Sequence, residues 1–327
     1  MATNDSPLVL VTGGTGYVAA HAIAQLRDAG YRVRTTVRTP KADLPGVEVV
    51  PADLSADEGW AAAHDGVRYV LHTASPFPAG APKNDDDVIA PAVGGTLRVL
   101  AAARAAGVER VVLTSSFAAV GYGAIPRSRY TEDDWTDPAD PNTAYVRSKA
   151  IAERAAWDDV AAYGGPELAV INPVGIFGPP LNGRVNSSVA IVKAMVDGQL
   201  PVALPTRFGV VDVRDVADLH LRAMTSPAAA GRRYLAVSGD TISFLDLATM
   251  LREHLGDVAA KAPTSELTEA EVRADPALRE AVRQLGRRPV ISADRARSEL
   301  GWRPRPVRTT IIETAEALLE AHNEAWT

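Results

Sequence analysis

Cysteine is missing from all 327 residues, which excludes disulfides, thiolate metal sites and cysteine nucleophiles. No apolar run approaches the ~20 residues of a bilayer span, so no membrane role is expected. The stretch Met1 to Pro7 has neither a basic region nor an apolar core, nothing in it directs export, and we expect a cytoplasmic protein. Positive charge is short as well. The formal net charge is −6, so no nucleic-acid partner is expected, because phosphate backbones are usually met by a net-basic face. Lysine occurs only as Lys41, Lys83, Lys149, Lys193 and Lys261, and arginine supplies nearly all the remaining positive charge. Internal repeats and low-complexity linkers are absent too. What remains is an ordinary globular composition, 46% hydrophobic and 23% charged, long enough for one large α/β domain or a main domain with a smaller lobe.

Leu8-Val9-Leu10-Val11 is a continuous apolar run that suits a central parallel strand covered on both faces. It leads into a glycine turn, a helical segment Val18 to Leu26, and Ala29-Gly30 as a C-cap. Arg32 to Val37 alternates polar and apolar as a second strand. Val47 to Val50, Tyr69 to Leu71, Val111 to Leu113 and Leu168 to Ile171 read as further strands, with helices at Ile89 to Ala106 and Ala144 to Ala162 between them. This alternation predicts a Rossmann-type, doubly wound parallel α/β sheet with its ligand crevice at the carboxyl ends of the strands. Beyond Ile171 the pattern breaks. Helices are expected at Ser187 to Val196, Val213 to Met224 and Arg308 to Glu320, a strand at Tyr234 to Val237, and a helical, charged stretch from Ser243 to Arg288. The expected division is a dinucleotide-binding domain at 1–173, completed by about 208–238, and a discontinuous substrate-binding lobe at 174–207 and 239–327.

The turn Thr12-Gly13-Gly14-Thr15-Gly16-Tyr17-Val18-Ala19 carries the first chemical signal. Gly13 allows the tight turn, Gly16 lets the backbone approach a pyrophosphate, and Ala19 lets helix and strand pack closely. Thr15, Tyr17 and Val18 would present the amino end of the helix to the phosphates. Where an NAD enzyme usually places an acid after its second strand, this chain has Arg38, with Lys41 close behind and no carboxylate until Asp43. Two cations suit a 2′-phosphate, so NADP is the expected cofactor. Asp53, beside Leu54, can accept from an adenine amino group. The small residues Thr73, Ala74 and Ser75 after the fourth strand would let ribose and nicotinamide lie against the backbone. His72 reads as a packed histidine rather than a catalyst.

Tyr145 and Lys149 lie one helical turn apart and share a face. A free phenol has a pKa of about 10, and an adjacent ammonium together with the oxidised nicotinamide ring would lower it toward proton exchange near neutrality. Ser116 can hold the substrate oxygen while Tyr145 donates to it as hydride arrives at carbon.

These motifs resemble the extended short-chain dehydrogenase/reductase superfamily, in particular its dihydroflavonol reductase-like branch, which includes cinnamoyl-CoA reductases and microbial aldehyde or ketone reductases. The resemblance covers nearly the whole chain. It runs through Thr12 to Ala19, Thr35 to Arg38, Ala52-Asp53-Leu54, His72 to Pro76, Pro91 to Leu100, Thr114-Ser115-Ser116, Tyr145 to Lys149, Ile171-Asn172-Pro173, Phe177-Gly178-Pro179, Val211 to Ala217 and Leu300-Gly301-Trp302. It implies a catalytic triad of Ser116, Tyr145 and Lys149, a cofactor site that also includes Thr114, Pro173, Ile176 and Ser188, and no metal. It further implies a substrate between sheet and lobe, near Phe77, Phe117, Phe177 and Phe208, in walls with few charges.

Two departures narrow the substrate. Gly121 stands where plant dihydroflavonol reductases have a flavonoid-binding asparagine, and Asn142 to Arg147 lacks the aromatic- and cysteine-rich signature of cinnamoyl-CoA reductases around the catalytic tyrosine. The leading expectation is an NADPH-dependent carbonyl reductase acting on a simple small-molecule ketone or aldehyde. The alternatives are a nucleotide-sugar epimerase or dehydratase, against which Arg38 argues, and a non-catalytic NADP-sensing protein, against which the retained triad argues. The chain is expected to be a monomer, or a homodimer through the helices near Ile89 and Ala144.

Overall fold

The run after Pro7 forms β1 (Leu8–Val11), buried along its whole length. The glycine turn leads to α1 (Tyr17–Asp28), which Ala29 and Gly30 close. There follow β2 (Arg32–Val37), β3 (Glu48–Pro51), α2 (Trp60–His64), β4 (Tyr69–His72), α3 (Asp86–Ala105), β5 (Arg110–Thr114), β6 (Arg129–Tyr130), α4 (Ala144–Tyr163) and β7 (Glu167–Pro173). The second half contributes β8 (Gly175–Phe177), α5 (Ser187–Val196), β9 (Arg207–Phe208), β10 (Val210–Asp212), α6 (Val213–Thr225) and β11 (Arg232–Ala236). It ends with β12 (Ile242–Ser243), α7 (Phe244–Leu255), α8 (Glu269–Ala274), β13 (Val290–Ile291), α9 (Asp294–Leu300) and α10 (Val307–Glu324). This computed structural model describes residues 6–39, 44–76, 84–181, 183, 185–279 and 281–324, with side chains to 321.

Seven parallel strands make one sheet in the order β11-β7-β5-β4-β1-β2-β3, a Rossmann-type α/β fold. The winding reverses between β1 and β4, which puts the ligand crevice at their carboxyl ends. One residue stitches that switch point together. Thr12 donates its N–H to Leu71 O (3.0 Å), its O accepts from Thr73 Oγ1 (2.7 Å), and its hydroxyl accepts from Ala74 N (3.0 Å) and bonds His72 Nδ1 (2.8 Å).

Helices α1, α6 and α9 with Trp302 cover one face of the sheet, and α3 and α4 with Trp60 cover the other. A third core joins Phe177 to α5, α7 and α10. Three small two-stranded pairs, β8–β10, β9–β12 and β6–β13, connect these layers around the crevice.

Two expectations need correction, and one strand carries its polar residues in an unusual way. The stretch Ser243 to Arg288 is not one helical run but α7, α8 and short 3-10 turns, because Gly256, Pro263, Pro276 and Gly286 interrupt it. The alternation of β2 does not leave its polar side exposed: Arg34, Thr35 and Thr36 are buried. Arg34 caps the end of α2, donating Nη1 to Ala62 O, Ala63 O and Asp65 O at 3.2, 3.1 and 2.6 Å, where a cation offsets the negative end of a helix. Helix α3 does reach the length and hydropathy of a bilayer span, at mean hydropathy 1.3, but its role in the fold is to pack along α4.

Burial also sets the charge state of two histidines. His72 is pushed down to about 3 from 6.5 by burial and by the Lys149 ammonium, and His220 is pushed down to about 4 by burial. His220 Nδ1 sits 2.7 Å from Val216 O, which can only accept, so the proton is on Nδ1 and Nε2 accepts from Thr114 Oγ1 at 2.7 Å. The unfolded chain protonates these rings near 6.5 while the folded chain does not, so the stability they confer is present above that value and lost as pH falls. Unfolding free energies from denaturant titrations should therefore decline from pH 7 to pH 4.5, by up to about 1.4 kcal/mol per pH unit for each ring. His220→Gln should make the slope shallower. A profile flat across that window would contradict the account.

Candidate active site

The glycine turn is shaped by the strand beside it. Gly13 adopts φ 72, its N–H donates to Thr36 Oγ1 (3.1 Å), and a Cβ there would stand 3.0 Å from Ala74 Cβ, so the loop lies tightly against the end of β4. Gly14 N donates to Thr36 O (3.0 Å) and Gly16 N to Gly13 O (2.8 Å). Thr36 had no assigned role in the sequence reading, since its partner is a backbone amide 23 residues away. Helix α1 starts after Gly16 with no capping side chain and no acid in its first turn. An uncapped, unneutralised helix start fits a pyrophosphate, which would take the first-turn amides and the positive end of the dipole.

The other expected cofactor residues divide. Thr15 and Val18 lie half-buried at the turn. Tyr17 turns its hydroxyl inward to Gly178 O (2.7 Å), where burial raises its pKa, so only its backbone faces the turn. Arg38 is exposed at the end of β2, and Lys41 lies outside the described residues. Asp53 accepts from Ser55 N and Oγ at 2.8 and 2.7 Å, bonds that hold its carboxyl below the usual range, with Arg38 contributing. Leu54 packs under Gly95 of α3. Thr114 spends its hydroxyl on His220.

Ser116, Tyr145 and Lys149 come together where β5 and α4 meet. Ser116 caps the 3-10 turn Phe117–Ala119, its Oγ accepting Ala118 N (3.1 Å), which leaves its own proton for a bond elsewhere. Helix α4 begins at Ala144 because Thr143 caps it, its hydroxyl accepting Val146 N (3.2 Å), and Asn142 ties that corner to Tyr122 O (2.8 Å). Tyr145, in the first turn, stays 41% exposed at the mouth of the crevice. One turn on, Lys149 Nζ lies 5.9 Å from the Tyr145 ring centroid and donates to Ser75 Oγ at 3.0 Å.

A further turn along α4 lies Glu153, which is not among the residues expected at the site. Its carboxylate is fully buried and joins four elements: it accepts from Ser115 Oγ (2.5 Å), Asn172 Nδ2 (2.7 Å) and Arg233 Nε (2.5 Å). Asn172 Nδ2 also reaches Ser116 O at 3.2 Å. Arg233 is fixed in turn by Glu132 O and Asp134 O, both at 2.8 Å, and stacks 3.7 Å from the Trp135 ring centroid. The available signal was the i, i+4 spacing from Lys149, but the partner arginine is 80 residues away.

Ser116 and Tyr145 open into one cavity of about 300 Å³. Phe117, Tyr122, Tyr130 and Phe208 provide aromatic wall, and Pro173 and Ser188 also line it. Gly121 admits the Phe117 ring, since a Cβ there would be 2.1 Å from Phe117 Cζ. The expectations around the cavity are revised at Phe177, at Ile176 and in wall charge. Phe77 lies outside the described residues. Phe177 is 1% exposed, turned into the third core by the β8–β10 pairing and stacked behind Phe208 at 6.0 Å, so it backs the wall instead of facing substrate. Ile176, expected near the nicotinamide, packs against the sheet core and does not line the cavity. The walls are also not poor in charge, because Arg127, Arg207 and Arg287 line them.

Residues 9–236 match the family model described as the NAD dependent epimerase/dehydratase family. The chain belongs to that family and, within it, to the dihydroflavonol reductase-like branch of the extended short-chain dehydrogenases/reductases. Cinnamoyl-CoA reductase CAD2 of Medicago truncatula is 32% identical over 339 residues, covering 97% of each chain. Ketoreductase azaE of Aspergillus niger is 33% identical over 79% of this chain and 86% of its own. The yeast methylglyoxal/isovaleraldehyde reductase Gre2, solved with NADPH, superposes with TM-score 0.81 at 25% identity over 97% of this chain and 99% of that one.

Removing the Glu153 carboxylate leaves the Arg233 guanidinium buried without its counter-ion. Glu153→Ala should cost roughly 3–5 kcal/mol by urea denaturation, and Glu153→Leu combined with Arg233→Met should recover part of it. A single variant as stable as the parent would show that the pair does not hold the site.

Proposed function

We propose that this NADP-dependent oxidoreductase is a carbonyl reductase, converting a ketone or aldehyde to an alcohol with Ser116, Tyr145 and Lys149 as its catalytic set. The observation that carries the reading is the single cavity into which Ser116 and Tyr145 both open, with the Lys149 ammonium one helical turn behind. The reductases among its relatives support it.

Arg38, and Lys41 by its place in the sequence, would meet the 2′-phosphate, the glycine turn and the start of α1 would take the pyrophosphate, and Thr73 to Ser75 with Pro173 and Ser188 would border the nicotinamide half. Bound there, NADPH supplies the hydride. The aromatic wall of Phe117, Tyr122 and Phe208 excludes water and takes the body of a hydrophobic carbonyl compound. Ser116 donates to the carbonyl oxygen and orients it. Tyr145 donates its proton to that oxygen as negative charge develops, and the Lys149 ammonium, held by Ser75, stabilises the charge left on the phenol oxygen.

Net NADPH consumption with aryl ketones or β-keto esters is the expected assay result. Tyr145→Phe should lower kcat roughly 10²–10⁴-fold while NADPH binding, followed by fluorescence, stays near its original affinity. Near-normal turnover in that variant would sink the mechanism. NADPH should bind more tightly than NADH, and Arg38→Ala should narrow the gap by one or two charge-assisted bonds of roughly 1.5–3 kcal/mol each. Equal affinity of the parent protein for the two cofactors would count against the 2′-phosphate assignment.

A further inference from the structure

The cavity's charge does not match the protein's. In a chain of net charge −6, the cavity is lined, among the described residues, by Arg127, Arg207 and Arg287 and by no carboxylate. Two of these arginines are already occupied. Arg127 pairs with Asp134 at 2.9 Å, and Arg207 bonds Thr241 O and faces Asp246 at 3.3 Å. The Arg287 side chain has no acidic partner among the described residues and stands half-buried beside Gln284, whose amide adds a neutral donor.

The segment that carries Arg287 is tied down on both sides. Before it, Arg283 Nη1 donates to Asn142 Oδ1 (3.1 Å), fastening the segment to the corner from which α4 and Tyr145 start. After it, Thr241 Oγ1 donates to Pro289 O (3.2 Å), and Val290 and Ser292 ladder onto Ser128 O and Tyr130 O at 2.9 and 3.0 Å. The backbone that carries Arg287 is therefore anchored at the wall of the cavity, where its half-buried guanidinium presents a planar fork that matches a carboxylate or phosphate.

We propose that the substrate carries an oxyanion besides its carbonyl group, and that Arg287, with Gln284 beside it, seats that oxyanion. The aromatic wall takes the apolar body, and the arginine supplies orientation. The inference rests on the carbonyl reductase reading and adds the class of substrate to it.

The test compares NADPH-linked reduction of 4-acetylbenzoate and 4-acetylphenyl phosphate with that of the neutral methyl 4-acetylbenzoate, at low salt, in the parent protein and in Arg287→Gln. The parent should favour at least one anionic ketone by about tenfold or more in kcat/KM. Arg287→Gln should shrink that ratio by a similar factor, mostly through KM, and Arg287→Glu should invert it. Whichever anion depends more on Arg287 identifies carboxylate or phosphate as the source. Reduction of the neutral ester with no preference for either anion, or a preference that survives Arg287→Gln, would overturn the oxyanion seat and leave the reductase reading intact. No NADPH oxidation with any of the three ketones or with simple aldehydes would overturn both.

Discussion

The Glu153 carboxylate is the point on which the site's geometry turns. It lies on the helix that carries Tyr145 and Lys149, and it bonds the end of β5 through Ser115, β7 through Asn172 and β11 through Arg233. Three strand positions and one helix thus share a single acceptor in a place closed to bulk solvent. A carboxylate buried this deeply persists only when its charge is paired and its lone pairs are used, and Arg233, Asn172 and Ser115 do both. The consequence is mechanical. Rotation of α4 about its axis, which would swing Tyr145 out of the cavity, has to break this set of bonds.

The cofactor half rests on a second polar stitch. Thr12 and His72 join β1 to β4 at the winding reversal, and Thr36 holds the glycine turn from β2. His72 can serve there because burial keeps its ring uncharged well below neutrality. The bonds of Thr12, His72 and Thr36 sit at the carboxyl ends of strands, where hydrophobic packing of the sheet stops and directional contacts fix the loops. The sheet supplies the position, and these contacts supply the precision.

Features written locally were legible in the sequence. The apolar run of β1 followed by its glycine turn, the i, i+4 spacing of Tyr145 and Lys149, and the exact span of α5, Ser187–Val196, each depend on neighbours within a few residues. The rest depended on partners the chain brings from afar. Phe177 looked like a cavity residue from its place in an irregular stretch, but pairing of Phe177 with Asp212 turns its ring to the third core. Arg233 sits in an ordinary-looking strand, and only the fold reveals its ion pair with Glu153. Arg287 lay in a stretch expected to be helical. There, glycines and prolines cut the chain into short turns whose contacts with Asn142 and Thr241 no periodicity encodes.

The central claim is that hydride leaves the cofactor for the carbon of an external carbonyl group and does not return. NADPH deuterated at the transferring position, incubated with the protein and an aryl ketone, tests it most directly. The account predicts one deuterium on the carbinol carbon of the alcohol, on one face, with one NADPH oxidised for each alcohol formed. Conversion of a UDP-sugar to its epimer with no net NADPH oxidation, and no labelled alcohol from any ketone, would contradict it.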